Sequence, residues 1–119
     1  QFVDRTHFVH LRSCYIFPNG NFTEASHLGG RGHLIELCRI FEKAEQEGKC
    51  NSGRRLPMRV DHGMTFTDEP GGVFDESNHG HNAGYTLLGR MFAMGQIQGV
   101  IATVDDELGI EYKQPGFYD

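Results

Sequence analysis

Twice along this sequence a short apolar run is followed by a loop and then by a helical pattern, and this alternation constrains the fold more than any other feature. The first run covers residues 8–12, and its helical pattern runs from residue 34 to a stop at Gly48. The second run covers residues 56–61, and its helical pattern runs from residue 87 to about residue 102. Strands that alternate with helices form a parallel sheet with helical crossovers, so we predict an α/β fold.

The sheet predicted in this way is too small to be a finished fold. The run at residues 8–12 shows no clean alternation of apolar and polar residues, which is typical of a strand covered on both faces. Two strands and two helices cannot provide that cover. We therefore expect residues 1–104 to be part of a larger α/β unit and residues 105–119 to form an acidic, irregular tail.

Two connecting segments complete the predicted organisation. The segment between the first strand and the first helix is predicted to be a polar loop with a turn at residues 18–21. A Gly-rich segment from Gly63 to Gly84 is long enough to be either functional or disordered.

Composition excludes several classes of protein. The 119 residues carry a net charge of −5, which argues against a nucleic-acid-binding protein because such a protein needs a basic face. The mean hydropathy of −0.46 and the lack of a long apolar run predict no transmembrane helix. No signal peptide is visible, and the three cysteines form neither a CxxC pair nor a disulfide framework. We therefore expect a cytoplasmic protein.

Polar side chains gather where each predicted strand ends. His10 and Arg12 belong to the first strand, and Arg59, Asp61 and His62 belong to the second. The carboxyl-terminal edge of a parallel sheet is where ligands bind, and imidazole and carboxylate groups suit a divalent metal. A histidine and an aspartate are fewer ligands than a catalytic metal site normally has. His10 is equally well explained as a core histidine, and Asp61 as a helix cap.

Other residues in this region have two interpretations each. Tyr85 opens the second helix, where it is either a packed aromatic residue or an acid–base group. Arg12 and Arg59 either clamp a carboxylate of a ligand or pair with acidic residues of the scaffold.

Five segments together resemble a known enzyme family, the mannonate dehydratases. They are residues 8–13 (FVHLRS), 22–28 (FTEASHL), 57–63 (PMRVDHG), 82–86 (NAGYT) and 89–90 (GR). The resemblance covers roughly residues 8–100 and corresponds to the carboxyl-terminal portion of the family. It implies that the chain forms the last two βα units of a TIM (β/α)₈ barrel of the xylose isomerase-like kind, which is incomplete as a barrel. It also implies the dehydration of D-mannonate to 2-keto-3-deoxy-D-gluconate in hexuronate catabolism, with a divalent metal, Mn²⁺ or Fe²⁺.

The same resemblance implies roles for individual residues. His10 and Asp61 would be metal ligands, with the remaining ligands supplied by earlier strands of the barrel. His62 and Tyr85 would be the acid–base pair. The substrate site would be lined by Arg12, His27 and Arg59.

A TIM barrel needs about 250 residues and eight strands, so we expect the isolated chain to be inactive. Activity would require a second copy of the chain, as in a homo-oligomer, or the missing amino-terminal segment of the barrel. Two other hypotheses remain open from the sequence. One is a truncated, non-catalytic module that self-associates through its open sheet edges, and the other is a related metal-dependent sugar isomerase or epimerase.

Overall fold

A computed structural model of the chain describes residues 2–64 and 86–112. The elements within these ranges are four short strands and two α-helices, together with single 3₁₀ turns at Val3–Arg5 and Asn51–Gly53. In chain order they are β1 (Val9–Leu11), β2 (Cys14–Ile16), β3 (Phe22–Glu24), α1 (Leu34–Gln46), β4 (Met58–Val60) and α2 (Leu87–Leu108).

Strands β1 and β4 form a parallel pair, which confirms the predicted parallel sheet. Their residues are in register as Val9 with Met58, His10 with Arg59, and Leu11 with Val60. Because side chains alternate across a strand, Leu11 and Val60 are buried, whereas His10 and Arg59 lie on an exposed face. Within residues 2–64 and 86–112, only one face of this sheet is covered.

Both helices pack on the covered face of the sheet. The predicted first helix is found as α1, and it buries Leu34 and Cys38 against Leu11 and Val60. Helix α2 adds four buried side chains to the same core, namely Ala93, Ile97, Val100 and Val104. Ala44 of the same helix is also buried, whereas Leu37 is 38% exposed.

Helix α2 is longer than the sequence pattern predicted. It continues past Ala102 to Leu108 and ends at Gly109, which has a left-handed backbone conformation with φ of 68°. Val104 and Asp105 are both buried, so packing extends the helix into the acidic segment that was predicted to begin the tail. Residues 113–119 of that segment lie outside the described part of the chain.

An antiparallel hairpin, β2–β3, occupies part of the segment that was predicted to be a polar loop. Cys14 lies opposite Glu24, and Ile16 lies opposite Phe22. The predicted turn between them is present, and Gly20 has a positive φ of 87° there. Strands of three residues are too short to show a recognisable alternation, so the sequence indicated the turn but not the strands.

Helix α2 is apolar on several faces. Within the described residues it is the one helix that is long and apolar enough to cross a membrane by length and composition, in contrast to the expectation from the sequence. Ala93, Ile97, Val100 and Val104 place it in the core of the domain, and core helices of soluble proteins pass the same test. Several of its other apolar side chains are exposed among the described residues; Leu87, for example, is 71% exposed.

A buried carboxylate pair joins the two helices. Glu42 of α1 lies beside Asp105 of α2, and both are buried. Burial, followed by the neighbouring charges of Asp105 and Glu45, raises the pKa of Glu42 to about 7, with Arg55 acting in the opposite direction. Burial beside the same two acids, Glu42 and Asp105, raises the pKa of the Cys38 thiol to about 11. Folding therefore favours the protonated form of Glu42.

Replacement of Glu42 by glutamine should change the pH dependence of stability. The contribution of Glu42 is fully present below pH 4.5 and is lost as the pH rises towards about 7, because the folded chain binds the proton more tightly than the unfolded chain. We expect E42Q to have a higher midpoint of thermal unfolding than the parent at about pH 8. We also expect the midpoint of E42Q to change less than that of the parent between about pH 5 and pH 8. The matched control is E36Q, at an exposed position of the same helix. Equal pH slopes for the parent and E42Q would contradict this prediction.

Candidate functional site

The carboxyl-terminal ends of β1 and β4 bring His10 and Asp61 together, as the sequence predicted for this edge of the sheet. Asp61 follows β4 directly, and its backbone N–H donates to the Leu11 carbonyl oxygen at 3.0 Å. This bond extends the ladder and leaves His10 Nδ1 3.7 Å from Asp61 Oδ1. The ring of Phe8 packs edge-on against His10, with centroids 4.8 Å apart, and limits the orientation of the imidazole.

A second acidic group, Glu24, lies beside this edge. Its side chain is buried, and the Arg12 guanidinium donates to it from Nε at 3.1 and 3.2 Å and also from Nη2. The guanidinium also lies over the Phe22 ring, 5.3 Å from the centroid. The hydrogen bonds to Glu24 raise the pKa of Arg12. Of the two interpretations of Arg12, the structure shows the pairing with an acidic residue of the scaffold.

His62 lies between the two carboxylates. Its Nδ1 is 3.5 Å from Glu24 Oε1, and its Nε2 is 3.8 Å from Asp61 Oδ2. Both distances are longer than the donor–acceptor distance of a good hydrogen bond. In enzymes, hydrogen bonds between catalytic groups are often long in structures without substrate. A histidine placed between two carboxylates can exchange a proton at one ring nitrogen while the other ring nitrogen stays in contact with a carboxylate.

A close backbone contact fixes the position of the segment that carries Asp61 and His62. A Cβ atom at Gly63 would lie 2.4 Å from the Gly89 carbonyl oxygen, and one at Gly89 would lie 2.0 Å from the Met64 carbonyl oxygen. Only glycine at both positions allows residues 63–64 to lie directly against the first turn of α2. The site is therefore attached to the helix by main-chain packing.

The other predicted site residues have different environments. Arg59 is exposed beside His10 on the uncovered face of the sheet, and its Nε contacts the Val60 carbonyl oxygen at 3.4 Å. His27 is only 2% exposed, and its Nε2 lies 2.9 Å from the Leu11 carbonyl oxygen. Its backbone N–H donates to Gln96 Oε1 at 3.0 Å, so His27 connects β1 to α2. Tyr85 lies outside the described residues.

Among the described residues, the pair that could hold a metal ion is His10 and Asp61. Within residues 2–64 and 86–112, no group of three or more His, Cys, Asp or Glu side chains is arranged to hold a metal ion. Two ligands with metal bonds of about 2.1 Å lie roughly 3–3.5 Å apart, and the 3.7 Å between His10 and Asp61 is close to that spacing. The spacing of the pair is therefore compatible with two adjacent ligand positions around one divalent ion.

Sequence reasoning missed Glu24 as a member of this site. The signal was present as a carboxylate in the segment of residues 22–28, but its role depends on the unpredicted hairpin. The register of that hairpin places Glu24 opposite Cys14 and beside Arg12. Burial, together with the nearby Glu24 carboxylate, raises the pKa of the Cys14 thiol, so that it stays protonated at neutral pH.

Comparison with known proteins gives one consistent result. The sequence model of a family described as D-mannonate dehydratase matches residues 1–111. Mannonate dehydratase 2 of Agrobacterium fabrum is 33% identical over 110 residues, which cover 91% of this chain and 26% of the relative. Mannonate dehydratase of Saccharophagus degradans is 32% identical over 107 residues, which cover 88% of this chain and 25% of the relative. The chain spans about a quarter of the length of these relatives.

The environment of His27 leads to a prediction about stability. Replacement by alanine removes a buried ring and one of the two hydrogen-bonding contacts of the Leu11 carbonyl oxygen, so we expect H27A to lose about 2–4 kcal/mol of unfolding free energy. Urea unfolding followed by circular dichroism measures this loss. The exposed His33, which makes no side-chain cap bond at the start of α1, supplies the control H33A, with a change below about 0.5 kcal/mol. An H27A chain as stable as H33A would show that His27 has no structural role.

Proposed function

The chain belongs to the D-mannonate dehydratase family, and we propose that it is the carboxyl-terminal part of an enzyme that dehydrates D-mannonate to 2-keto-3-deoxy-D-gluconate. The observation that carries this proposal is the meeting of His10, Asp61 and His62 at the carboxyl-terminal edge of two parallel strands. In α/β barrels this edge carries the active site.

The proposed architecture is the last two βα units of a xylose isomerase-like TIM barrel. The exposed face of the β1–β4 pair supports it, because His10 and Arg59 project from that face while the opposite face packs on helices. In a barrel the uncovered face would point into the interior. Each of these strands pairs with only one neighbour among the described residues, so the sheet can be extended on both sides.

We propose that His10 and Asp61 hold a divalent ion, Mn²⁺ or Fe²⁺, together with ligands from the rest of the barrel. Imidazole and carboxylate groups suit these ions, and the spacing of the pair fits adjacent ligand positions. When bound, such an ion supplies Lewis acidity towards the oxygens of a sugar acid.

The chain's own residues then account for proton transfer and charge. Dehydration removes the proton next to the carboxylate and releases the neighbouring hydroxyl as water, so one group must accept a proton and another must donate one. We assign these two tasks to His62 and Tyr85 as a pair. Arg59 lies on the same exposed face as His10 and favours negative charge on the substrate there. Arg12 contributes by fixing the Glu24 carboxylate, and His27 contributes by its contact with the Leu11 carbonyl oxygen of β1.

Two exposed apolar surfaces support the proposal that another part of the protein packs against this chain. A groove of about 600 Å³ lies between β4 and α2, lined by apolar residues that include Met58, Met94, Ile97 and Ile101. Beside it, the exposed Leu87 and Met91 extend the apolar surface along α2. A helix that is apolar on most sides is normally enclosed in a larger structure. We propose that the amino-terminal part of the barrel covers these surfaces, and that the chain otherwise associates with copies of itself.

Activity should depend on completion of the barrel and on Asp61. We expect the isolated chain to form no 2-keto-3-deoxy-D-gluconate from D-mannonate, even with Mn²⁺ supplied. Fusion of the chain to the remaining three quarters of the Agrobacterium fabrum relative should give activity. In the fused protein D61N should reduce activity and bound metal at least about 100-fold. D106N, at an exposed position of α2, is the matched control and should behave like the parent.

Two results would contradict the proposal. Turnover by the isolated chain at the rate of the fused protein would show that the chain is not an incomplete part. A well-folded fusion that binds metal but releases no water from D-mannonate would overturn the assigned reaction, and product analysis with other sugar acids would then test for an isomerase or epimerase.

Self-association of the isolated chain should depend on the exposed apolar surface of α2. We expect sedimentation velocity to show oligomers of the parent chain and a shift towards monomer in the double variant L87Q/M91Q, because both side chains are more than half exposed. D106N again serves as the control. A parent chain that stays monomeric at all concentrations would argue against the surface as an association site.

A further inference from the structure

Glu24 is the most heavily buried acidic group beside the proposed acid–base histidine. It is 8% exposed and lies at the end of β3, in a hairpin that contributes none of the proposed metal or acid–base residues. A carboxylate in such a place is costly unless cations or hydrogen-bond donors surround it. Its contacts therefore indicate what it is placed to do.

One side of the Glu24 carboxylate is held by Arg12. The guanidinium donates to both oxygens from Nε, at 3.1 and 3.2 Å, and it is supported from behind by the Phe22 ring. Paired contacts of this kind fix the plane and direction of a carboxylate as well as its charge. Arg12 thus balances the charge of Glu24 and prevents the side chain from rotating.

The other side of Glu24 faces His62. Glu24 Oε1 lies 3.5 Å from His62 Nδ1, while His62 Nε2 points towards Asp61, 3.8 Å from Oδ2. The two ring nitrogens therefore have distinct surroundings. Nδ1 faces an immobilised carboxylate of the scaffold, and Nε2 faces the edge where His10 and Asp61 meet.

We propose that Glu24 is the positioning residue of His62, accepting the hydrogen of Nδ1 and thereby leaving Nε2 as the nitrogen that exchanges a proton with the substrate. A neutral imidazole carries a single N–H, so an acceptor fixed at one nitrogen decides which tautomer is present. The assignment of substrate proton exchange to Nε2 rests on the proposed function, whereas the tautomer of His62 is argued from the contacts of Glu24 with Arg12 and His62.

The tautomer of His62 can be measured in the 119-residue chain itself. Nitrogen chemical shifts from chain labelled with ¹⁵N-histidine, recorded near pH 8.5 and assigned with H62Q, show which ring nitrogen carries the hydrogen. We expect Nδ1–H for His62 in the parent and Nε2–H, the form that free neutral histidine prefers, in E24L. Because E24L leaves Arg12 without its partner, the double variant R12M/E24L repeats the test without an unpaired cation. The same His62 tautomer in the parent and in a folded variant would overturn the proposal.

Kinetics of the fused protein separate positioning from a merely structural role. Loss of the acceptor in R12M/E24L should lower kcat at least about 10-fold per folded molecule with little change in KM. E24Q keeps an acceptor oxygen and should recover part of that loss. A neighbouring hairpin variant, T23V, should leave kcat unchanged. If Glu24 only stabilised the hairpin, the variants would lower the folded fraction and leave kcat per folded molecule as in the parent.

Negative results of the two measurements would contradict different proposals. A parent fusion without dehydratase activity would count against the proposed function, and the nitrogen shifts would still decide whether Glu24 sets the tautomer of His62. An active parent whose kcat does not respond to either change at Glu24 would overturn the positioning role while leaving the proposed reaction in place.

Discussion

Parallel pairing of β1 with β4 is the constraint on which the rest of the structure depends. Two parallel strands end on the same side, so residues near their carboxyl-terminal ends lie close together, and the His10 and Asp61 side chains are 3.7 Å apart. The same pairing requires a crossover, which α1 provides on one face of the sheet. The opposite face is then left to His10 and Arg59, whose polar side chains need no apolar cover.

Glu24 and Glu42, two of the buried acidic residues in the described part of the chain, have opposite environments. Glu24 is paired with the guanidinium of Arg12 and faces His62. Glu42 faces another acid, Asp105, and has only the opposing influence of Arg55, so burial favours its protonated form. The Glu24–Arg12 pair lies beside the candidate site, whereas Glu42 and Asp105 lie between the two helices.

The sequence was sufficient to predict the features that follow from hydrophobic period and chain order. The spacing of apolar residues predicted the parallel sheet and the first helix. The positions where the two strands end predicted that His10, Asp61 and His62 gather at one edge. The β2–β3 hairpin and the end of α2 were not predictable in the same way. Three-residue strands carry too little pattern, and the last turns of α2 are held by burial of Val104 and Asp105 against another helix. Because the hairpin was not predicted, the position of Glu24 was not predicted either. Its role arises from contacts between residues that are far apart in the sequence.

The contact between Gly63 and Gly89 has a consequence for how such proteins diversify. It brings together two points of the backbone that are 26 residues apart, since 89 − 63 = 26, and it does so with main-chain atoms alone. Once the two ends of a segment are fixed against each other, doubling the length between them costs only about 0.6 kcal/mol of closure entropy. Insertions and deletions between these anchors can therefore accumulate during evolution while Asp61 and His62 keep their places.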